Sequence, residues 1–151
     1  MRAALAFAER LDAGGQLPEV RRIRCSLFGS LGSTGLGHGT PDAILAGLAG
    51  LRPEACDPDD VRNLWAHLPD GATLLVNGIH PVPMVKTDVV FEPRTRLPGH
   101  PNAMTLSAWG DDPAAPALLE ETYYSIGGGF IRRDGGEIGR ASCRERVSRY
   151  V

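Results

Sequence analysis

The sequence predicts an α+β fold in which a mixed or antiparallel sheet has helices packed on one side. Helix patterns lie in the first half of the chain, whereas short β-prone segments separated by Pro and Gly turns fill the second half. Composition agrees with this class. The 151 residues include 19 Gly and 12 Pro, yet 42% are hydrophobic, so the chain can form a core connected by many tight turns.

Three segments carry helix signals. The Ala-rich run 2–11 ends at a Gly-Gly pair, and no capping residue precedes it, which indicates that upstream sequence is missing. Small residues over 43–51 predict a second helix that packs closely against a neighbour. A third helix is predicted over 57–68, where Asp57 caps the start and apolar residues recur at helical spacing, namely Val61, Leu64, Trp65 and Leu68.

Five segments carry strand signals. Within 19–31, the alternation of Val20, Ile23, Cys25 and Leu27 predicts a strand whose Arg side chains lie on the other face. The other four predicted strands cover 73–78, 86–93, 102–109 and 121–131. After the first strand, residues 29–43 hold five Gly among 29–39 and predict a loop without regular structure, whose backbone approaches another group closely or adopts positive φ.

Charge and cysteine content exclude several classes of protein. The formal net charge of −2 argues against nucleic-acid binding, which usually needs a basic domain. The apolar runs are too short to span a membrane, and no secretory signal precedes the first helix. Three widely spaced Cys do not form a disulfide framework, and they predict no metal site within this chain. A cytoplasmic protein is the resulting expectation.

The end of the chain differs from the rest. Residues 137–151 hold four Arg and two Glu, and the string EIGRASCRERV resembles the translation of a common sequencing adapter. We expect 137–151 to be a non-native tail and 1–136 to form one domain that is truncated at its N-terminus. The alternative is a genuine basic tail.

Polar residues gather in three clusters, at 33–40, 97–104 and 123–130. In the first, clustered backbone N–H groups, hydroxyls and an imidazole can bind a small carboxylate and move a proton. In the second, His100 and Asn102 project the same way from an extended chain. In the third, three consecutive Gly suit a close backbone or ligand. The alternatives are a turn-rich connection, a solvated loop and a flexible hairpin.

These clusters, in this order, resemble the β-domain of the bacterial iron–sulfur-dependent L-serine dehydratases. The matching stretches are SLFGSLGSTGLGHGT (26–40), AILAGLAG (43–50), HPNAM (100–104) and YYSIGGGF (123–130). The family's opening Ser-Ser-His-Thr-x-Gly-Pro-Met motif is absent, and its end aligns with Met1 and Arg2. Pro41 stands where the family often has Asp, and Asp42 follows it.

The resemblance implies an enzyme that converts L-serine to pyruvate and ammonia in amino-acid catabolism that feeds gluconeogenesis. It implies a 4Fe–4S cluster that binds the substrate hydroxyl and is held by three Cys of a separate α-domain, so that the ligands lie outside this chain. The partners implied are L-serine and that α-domain, fused or separate, in a homo-oligomeric enzyme. The fold implied is similar to an allosteric substrate-binding domain.

The resemblance also implies roles for individual residues. His38 would be a catalytic or substrate-orienting group, and His100 and Asn102 would belong to a second, regulatory serine site. The implied substrate-binding residues are Ser33, Thr34, Gly35, Gly37, Thr40, Ser125, Gly127 and Gly128.

Two other functions fit the residues. One is a stand-alone amino-acid-binding regulatory module without catalysis, and the other is an unrelated glycine-rich protein that binds a nucleotide or sugar phosphate. If the chain is a dehydratase fragment, we expect it to be inactive alone.

Overall fold

A computed structural model describes residues 1–35, 37, 39–98, 101–112, 114–127 and 130–134 of the chain. The helices are α1 (Arg2–Ala13), α2 (Ser30–Thr34), α3 (Thr40–Leu48) and α4 (Pro58–Val61). The strands are β1 (Arg22–Gly29), β2 (Thr73–Val76), β3 (His80–Pro83), β4 (Val89–Glu92), β5 (Asn102–Trp109), β6 (Leu119–Gly127) and β7 (Phe130–Asp134). Single 3-10 turns cover Leu17–Glu19 and Lys86–Asp88.

Five strands form one sheet in the order β4-β1-β5-β6-β7. Strands β1 and β4 pair in parallel, and the other neighbours in this sheet pair antiparallel. Strands β2 and β3 form a separate antiparallel ribbon. The predicted α+β class with a mixed sheet is therefore confirmed.

One face of the sheet forms the core with α1 and α3. On β1, Ile23, Cys25 and Leu27 are buried, whereas Arg22 and Arg24 on the opposite face are exposed, as the alternation predicts. The helices contribute to the same core through Phe7, Leu11, Ile44 and Leu48. The hydrophobic effect of this shared buried surface holds the two helices on the sheet.

Helices α1 and α3 approach each other closely at Gly47. A Cβ atom at this position would lie 2.8 Å from the Cβ of Ala4 and 3.0 Å from the backbone N of Leu5. Both distances are shorter than a van der Waals contact, so only glycine fits between the helices without a shift.

A buried ion-pair network joins α1 to the sheet. Oε1 of Glu121 on β6 accepts a 2.7 Å hydrogen bond from Nε of Arg10 and another of 2.7 Å from a terminal guanidinium N of Arg133. The side chains of Glu121 and Arg133 are only 4% and 1% exposed. One carboxylate therefore neutralises a buried guanidinium on β7 and also binds a residue of α1.

The loop predicted over 29–43 is wrong for residues 30–34, which form α2, and for residues 40–43, with which α3 begins. The carbonyl oxygen of Ser30 accepts hydrogen bonds from the hydroxyls of Ser33 and Thr34, at 3.2 and 2.7 Å. A Cβ at Gly32 would lie 2.8 Å from the backbone N of Pro93, so the absence of a side chain lets α2 pack directly on a neighbouring segment. The expected close backbone approach is correct.

The helix predicted over 57–68 is also wrong beyond Val61, since α4 covers only Pro58–Val61. Arg62 is extended, with ψ of 129°, so the helical run ends at Val61, and Asn63 after it adopts a left-handed conformation with φ of 64°. The carboxylate of Asp42 accepts the backbone N–H groups of Asn63 at 3.1 Å and Trp65 at 2.9 Å. A tertiary contact thus replaces the helical hydrogen bonds, although Leu64, Trp65 and Leu68 still pack against the core as the periodicity predicts.

The strand predictions differ in accuracy. The segment 102–109 matches β5, whereas 73–78 and 86–93 correspond to the shorter β2 and β4. The segment 121–131 is two strands, β6 and β7. Strand β3 was not predicted, because its two prolines argue against a strand in the middle of a sheet, while a two-stranded ribbon tolerates them.

Within the described ranges, none of the helices has both the length and the apolar character needed to cross a lipid bilayer. Residues 135–151 lie outside the described part of the chain, so the tail and the domain boundary at 136 stay predictions.

Candidate functional site

Described residues of the three polar clusters meet at one end of the sheet, among them Thr40, Met104 and Ser125. Gly29, the last residue of β1, pairs with Asn102, the first residue of β5. Ala103 in turn pairs with Tyr124 near the end of β6. Strand register therefore brings together segments that are far apart along the chain.

An open pocket of about 350 Å³ lies beside this end of the sheet. It is bounded by the start of α1, the connection from α2 to α3, and β5 to β7. Its walls are mostly apolar with a few polar groups, which is the usual character of small-molecule sites. The lining residues are Met1, Arg2, Ala3, Leu31, Gly39, Thr40, Ala43, Pro53, Met104, Ser125 and Ile131.

Two of the predicted substrate-binding residues, Thr40 and Ser125, line this pocket together. Thr40 begins α3 and Ser125 lies near the end of β6. Gly35 is buried next to Thr40, and a Cβ at Gly35 would lie 3.3 Å from the Thr40 hydroxyl oxygen. The glycine therefore leaves room for the Thr40 hydroxyl.

Other predicted residues of the first cluster lie on the surface. The hydroxyls of Ser33 and Thr34 are exposed and donate to the Ser30 carbonyl oxygen. Gly37 is exposed too. As placed in the structure, Ser33 and Thr34 use their hydroxyl protons within α2 and retain only lone pairs for a ligand.

Several predicted site residues fall outside the described part of the chain, namely His38, His100 and Gly128. Gly127 belongs to β6 and pairs with Phe130 across an irregular register. Asn102 is half-buried at the start of β5. The roles assigned to these residues stay predictions.

Asp42 is a structural residue in the geometry described above. Each of its carboxylate oxygens accepts one backbone N–H, from Asn63 and Trp65. Because both oxygens are engaged in holding the 63–65 turn, Asp42 is better explained by local structure than by proton transfer at the pocket.

Arg2 lines the pocket although the sequence interpretation gave it no role there. It begins α1, and its side chain is 31% exposed and lies 3.9 Å from the carboxylate of Glu54. The sequence signals for it are a single basic residue at the start of an Ala-rich helix and the alignment of Met1 and Arg2 with the end of the family's motif. Its place at the pocket depends on how α1 packs against α3, which local pattern does not encode.

Burial shifts the pKa of two groups near the pocket. It lowers the pKa of the Met1 amino group, because a charge is poorly hydrated there, while Cys25 acts in the opposite direction. Burial also raises the pKa of the Cys25 thiol to about 12, partly offset by the Met1 amino group. The Cys25 thiol is therefore protonated at neutral pH and is a poor nucleophile and a poor metal ligand.

We expect this thiol to reduce stability at alkaline pH. Between the ordinary pKa of 9.0 and about 12, the unfolded chain releases the Cys25 proton while the folded chain retains it. Over this range, the Cys25 thiol should therefore lower the free energy of unfolding by about 1.4 kcal/mol per pH unit. Below pH 9, the thiol is protonated in both states and should leave the free energy of unfolding unchanged. Urea unfolding across this pH range measures the slope.

Cys25→Ala provides the comparison for this slope, since it removes the titrating group and leaves every other one. The difference in stability between the two proteins should change with pH only above the ordinary thiol pKa. If the difference in stability between the two proteins stays constant up to the highest pH measured, the raised pKa of the Cys25 thiol is contradicted.

The described residues contain no group of three or more His, Cys, Asp or Glu side chains that could hold a metal ion. Cys56 is partly exposed, and its sulfur lies 4.0 Å from that of Met1. Neither Cys56 nor the buried Cys25 has further metal-ligating side chains grouped around it within the described ranges.

Comparison with known proteins gives a consistent set of relatives. The profile of the family described as serine dehydratase beta chain matches residues 1–136. The L-serine dehydratase of Mycobacterium tuberculosis is 40% identical over 145 residues, covering 95% of this chain and 31% of that protein. The L-serine dehydratase of Streptomyces coelicolor is 40% identical over 132 residues, with 87% and 29% covered.

A more distant relative is L-serine dehydratase TdcG of Escherichia coli, which is 38% identical over 133 residues and covers 87% of this chain and 28% of its own length. The chain thus spans less than a third of the curated relatives that it matches.

Proposed function

We propose that this chain, which belongs to the serine dehydratase beta chain family, is the β-domain of an L-serine ammonia-lyase that converts L-serine to pyruvate and ammonia. The match over residues 1–136 carries the proposal, and relatives named L-serine dehydratase support it. The pocket supports a small ligand, because its size and mostly apolar walls suit one.

The proposed roles of individual residues depend on where they lie relative to the pocket. Thr40 and Ser125 would hold the substrate by hydrogen bonds from its walls. His38 would orient the substrate or move the proton, and it directly precedes Gly39, which lines the pocket. Ser33, Thr34, Gly35 and Gly37, together with Gly127 and Gly128, would shape the approach to this site.

A 4Fe–4S cluster is the cofactor that the family resemblance implies. The described residues do not fit a ligand set for it, since they contain no group of three or more metal-ligating side chains and Cys25 is buried with a raised pKa. We therefore place the ligands in an α-domain outside this chain. The proposed role of this chain is to bind and orient the substrate and to move a proton.

The regulatory features of the proposal concern a second site and the assembly. His100 and Asn102 would form a regulatory serine site, which fits the place of Asn102 at the sheet end where the clusters meet. The mixed sheet with α1 and α3 on one face is compatible with an allosteric substrate-binding fold. The complete enzyme would be a cytoplasmic homo-oligomer.

A chimeric enzyme tests the proposal. Residues 1–136 replace the aligned segment of the Mycobacterium tuberculosis L-serine dehydratase, and pyruvate release from L-serine is measured under anaerobic conditions. We expect turnover by the chimera and none by the 151-residue chain alone. His38→Ala in the chimera should lower kcat/KM by about 10²- to 10⁴-fold, the usual contribution of a positioned acid or base.

His67→Ala is the matched control, because His67 is an exposed histidine outside the three clusters. It should leave turnover unchanged. A folded chimera that releases no pyruvate would contradict the proposed activity, and equal effects of the two substitutions would contradict the role of His38. Turnover by the isolated chain would contradict the assignment as one domain of a larger enzyme.

A further inference from the structure

The β2–β3 ribbon carries apolar side chains on both of its faces. Its inner face belongs to the core through Val76, Val82 and Met84. The opposite face, here called the outer ribbon face, consists of the exposed residues Leu75, Ile79, Pro81, Pro83 and Val85. Leu75, Ile79 and Val85 are 51%, 64% and 44% exposed, and they are the large hydrophobic side chains that the described part of the chain leaves exposed. Adjoining exposed apolar residues, unlike scattered single ones, mark an interaction surface.

The ribbon lies at the opposite end of the domain from the pocket. The backbone N–H of Asn77 donates to the carbonyl oxygen of Leu48 at the end of α3, at 2.7 Å, and its side chain donates to the carboxylate of Asp12 near the end of α1, at 3.0 Å. Nε2 of His80 lies 2.8 Å from the carbonyl oxygen of Val20, just before β1. The pocket lies instead at the starts of α1 and α3. The outer ribbon face is therefore away from the site that the proposed α-domain would cover.

Two prolines exclude the addition of a further strand along β3. The N–H of Met84 donates to the carbonyl oxygen of Ala72 at 3.0 Å, and hydrogen-bonded and non-bonded pairs alternate along an antiparallel ribbon. The pairs that contain Pro81 and Pro83 are therefore non-bonded ones, in which the backbone N positions face away from β2. Because proline has no N–H, this edge offers no donor at either position. A partner must therefore contact the side chains of the outer ribbon face.

The charge pattern of the ribbon suits contact with an identical surface. Residues 73–85 contain no Asp, Glu, Lys or Arg. The nearest charged residues along the chain are Asp70 and Lys86, which are both exposed and opposite in sign. Two copies of the outer ribbon face can therefore meet without repulsion between like charges. A two-fold contact requires a surface that is complementary to itself, and an uncharged apolar face meets this condition.

We propose that the outer ribbon face is the surface through which two copies of this chain associate, in a two-fold contact centred on Leu75 and Ile79. The contact is closed, because each copy uses the same face and β3 cannot be extended. The place of this contact in a homo-oligomeric enzyme rests on the proposed function. The contact itself rests on the exposure, charge and position of the ribbon.

A concentration series of the complete 151-residue chain tests the contact. Amide chemical shifts of the ¹⁵N-labelled chain are recorded from micromolar to millimolar concentration, and sedimentation velocity gives the mass of the species over the same range. The shifts that change with concentration should lie within residues 73–85, and the chain should form a reversible dimer. Five residues are fewer than the roughly 20–30 per partner of a standard interface, so we expect a weak dimer.

A double substitution and a control assign the dimer to the ribbon. Leu75→Ser combined with Ile79→Ser should raise the dissociation constant of the dimer at least about tenfold, because each copy loses two large apolar contacts. Both side chains are exposed, so the free energy of unfolding in urea should stay close to that of the unsubstituted chain. Ala114→Ser, at an exposed apolar residue between β5 and β6, should leave the dissociation constant unchanged.

The outcomes separate this inference from the proposed function. A chain that stays monomeric, concentration-dependent shifts outside 73–85, or a dimer that survives the double substitution overturns the contact. A monomeric chain whose residues 73–85 become protected from hydrogen exchange in the chimera overturns it in favour of the α-domain as the partner. A ribbon-dependent dimer beside an inactive chimera supports the contact and overturns the proposed activity.

Discussion

Replacing Glu121 with Ala should lower the free energy of unfolding by about 3–5 kcal/mol, the usual cost of removing one partner of a buried ion pair. Oε1 of Glu121 binds the guanidinium groups of Arg10 and Arg133, each at 2.7 Å. The Arg133 side chain is only 1% exposed, so the loss of this carboxylate leaves a positive charge far from water. Equilibrium urea unfolding measures the change.

Glu120→Ala is a close control, because Glu120 is the adjacent residue on β6 but is exposed. It accepts one hydrogen bond from the Ser107 hydroxyl, at 2.9 Å. The loss should be about 1 kcal/mol or less. If the two substitutions destabilise equally, the network around Glu121 does not hold α1 and β7 to the sheet as described.

Replacing Gly47 with Ala should also destabilise the protein, by about 1–3 kcal/mol, as overpacking usually does. Helix propensity predicts the opposite sign, because Ala in a helix interior is favoured over Gly by about 1 kcal/mol. The clash prevails since the added Cβ would meet the Ala4 Cβ at 2.8 Å and the Leu5 backbone N at 3.0 Å. Backbone atoms cannot rotate away, so α1 must move.

That movement should reach the pocket, because Met1, Arg2 and Ala3 at the start of α1 line it. Gly47→Ala is therefore expected to change the shape of the pocket as well as to lower stability. Gly110→Ala is the control, since a Cβ there meets no atom closer than 3.4 Å, and its effect should stay within about 0.5 kcal/mol. A stabilised Gly47→Ala protein would show that α1 and α3 are farther apart than described.

Local sequence pattern predicts the helices and strands that do not depend on contacts with distant residues. Helix α1 and strand β5 follow directly from periodicity and from flanking Gly and Pro. The 62–68 segment did not follow its helical periodicity because Asp42, more than twenty residues away, captures two of its N–H groups. Helix α2 was missed because its glycines signal flexibility in isolation and close packing only in the folded chain.

The candidate site also contains residues that the sequence indicates and residues that only the folded structure reveals. Thr40 and Ser125 lie in motifs that are visible in the sequence, and the structure brings them to one pocket through the pairing of β5 with β6. Arg2 aligns with the end of a family motif whose other residues are absent from the chain. Its place depends on the packing of α1 against α3, which a reading of local residue types does not provide.

The two attachments of α1 have a consequence for local unfolding. The helix contacts α3 at Gly47 near its start, and Arg10 binds the buried Glu121 near its end. A segment fixed at both ends cannot open separately from the sheet, so the hydrogen-bonded backbone amides of α1, from Leu5 onward, should exchange hydrogen only when the whole domain unfolds. Slow exchange at Leu5, whose N–H donates to the Met1 carbonyl oxygen, would mean that one wall of the pocket is already in place before a ligand arrives.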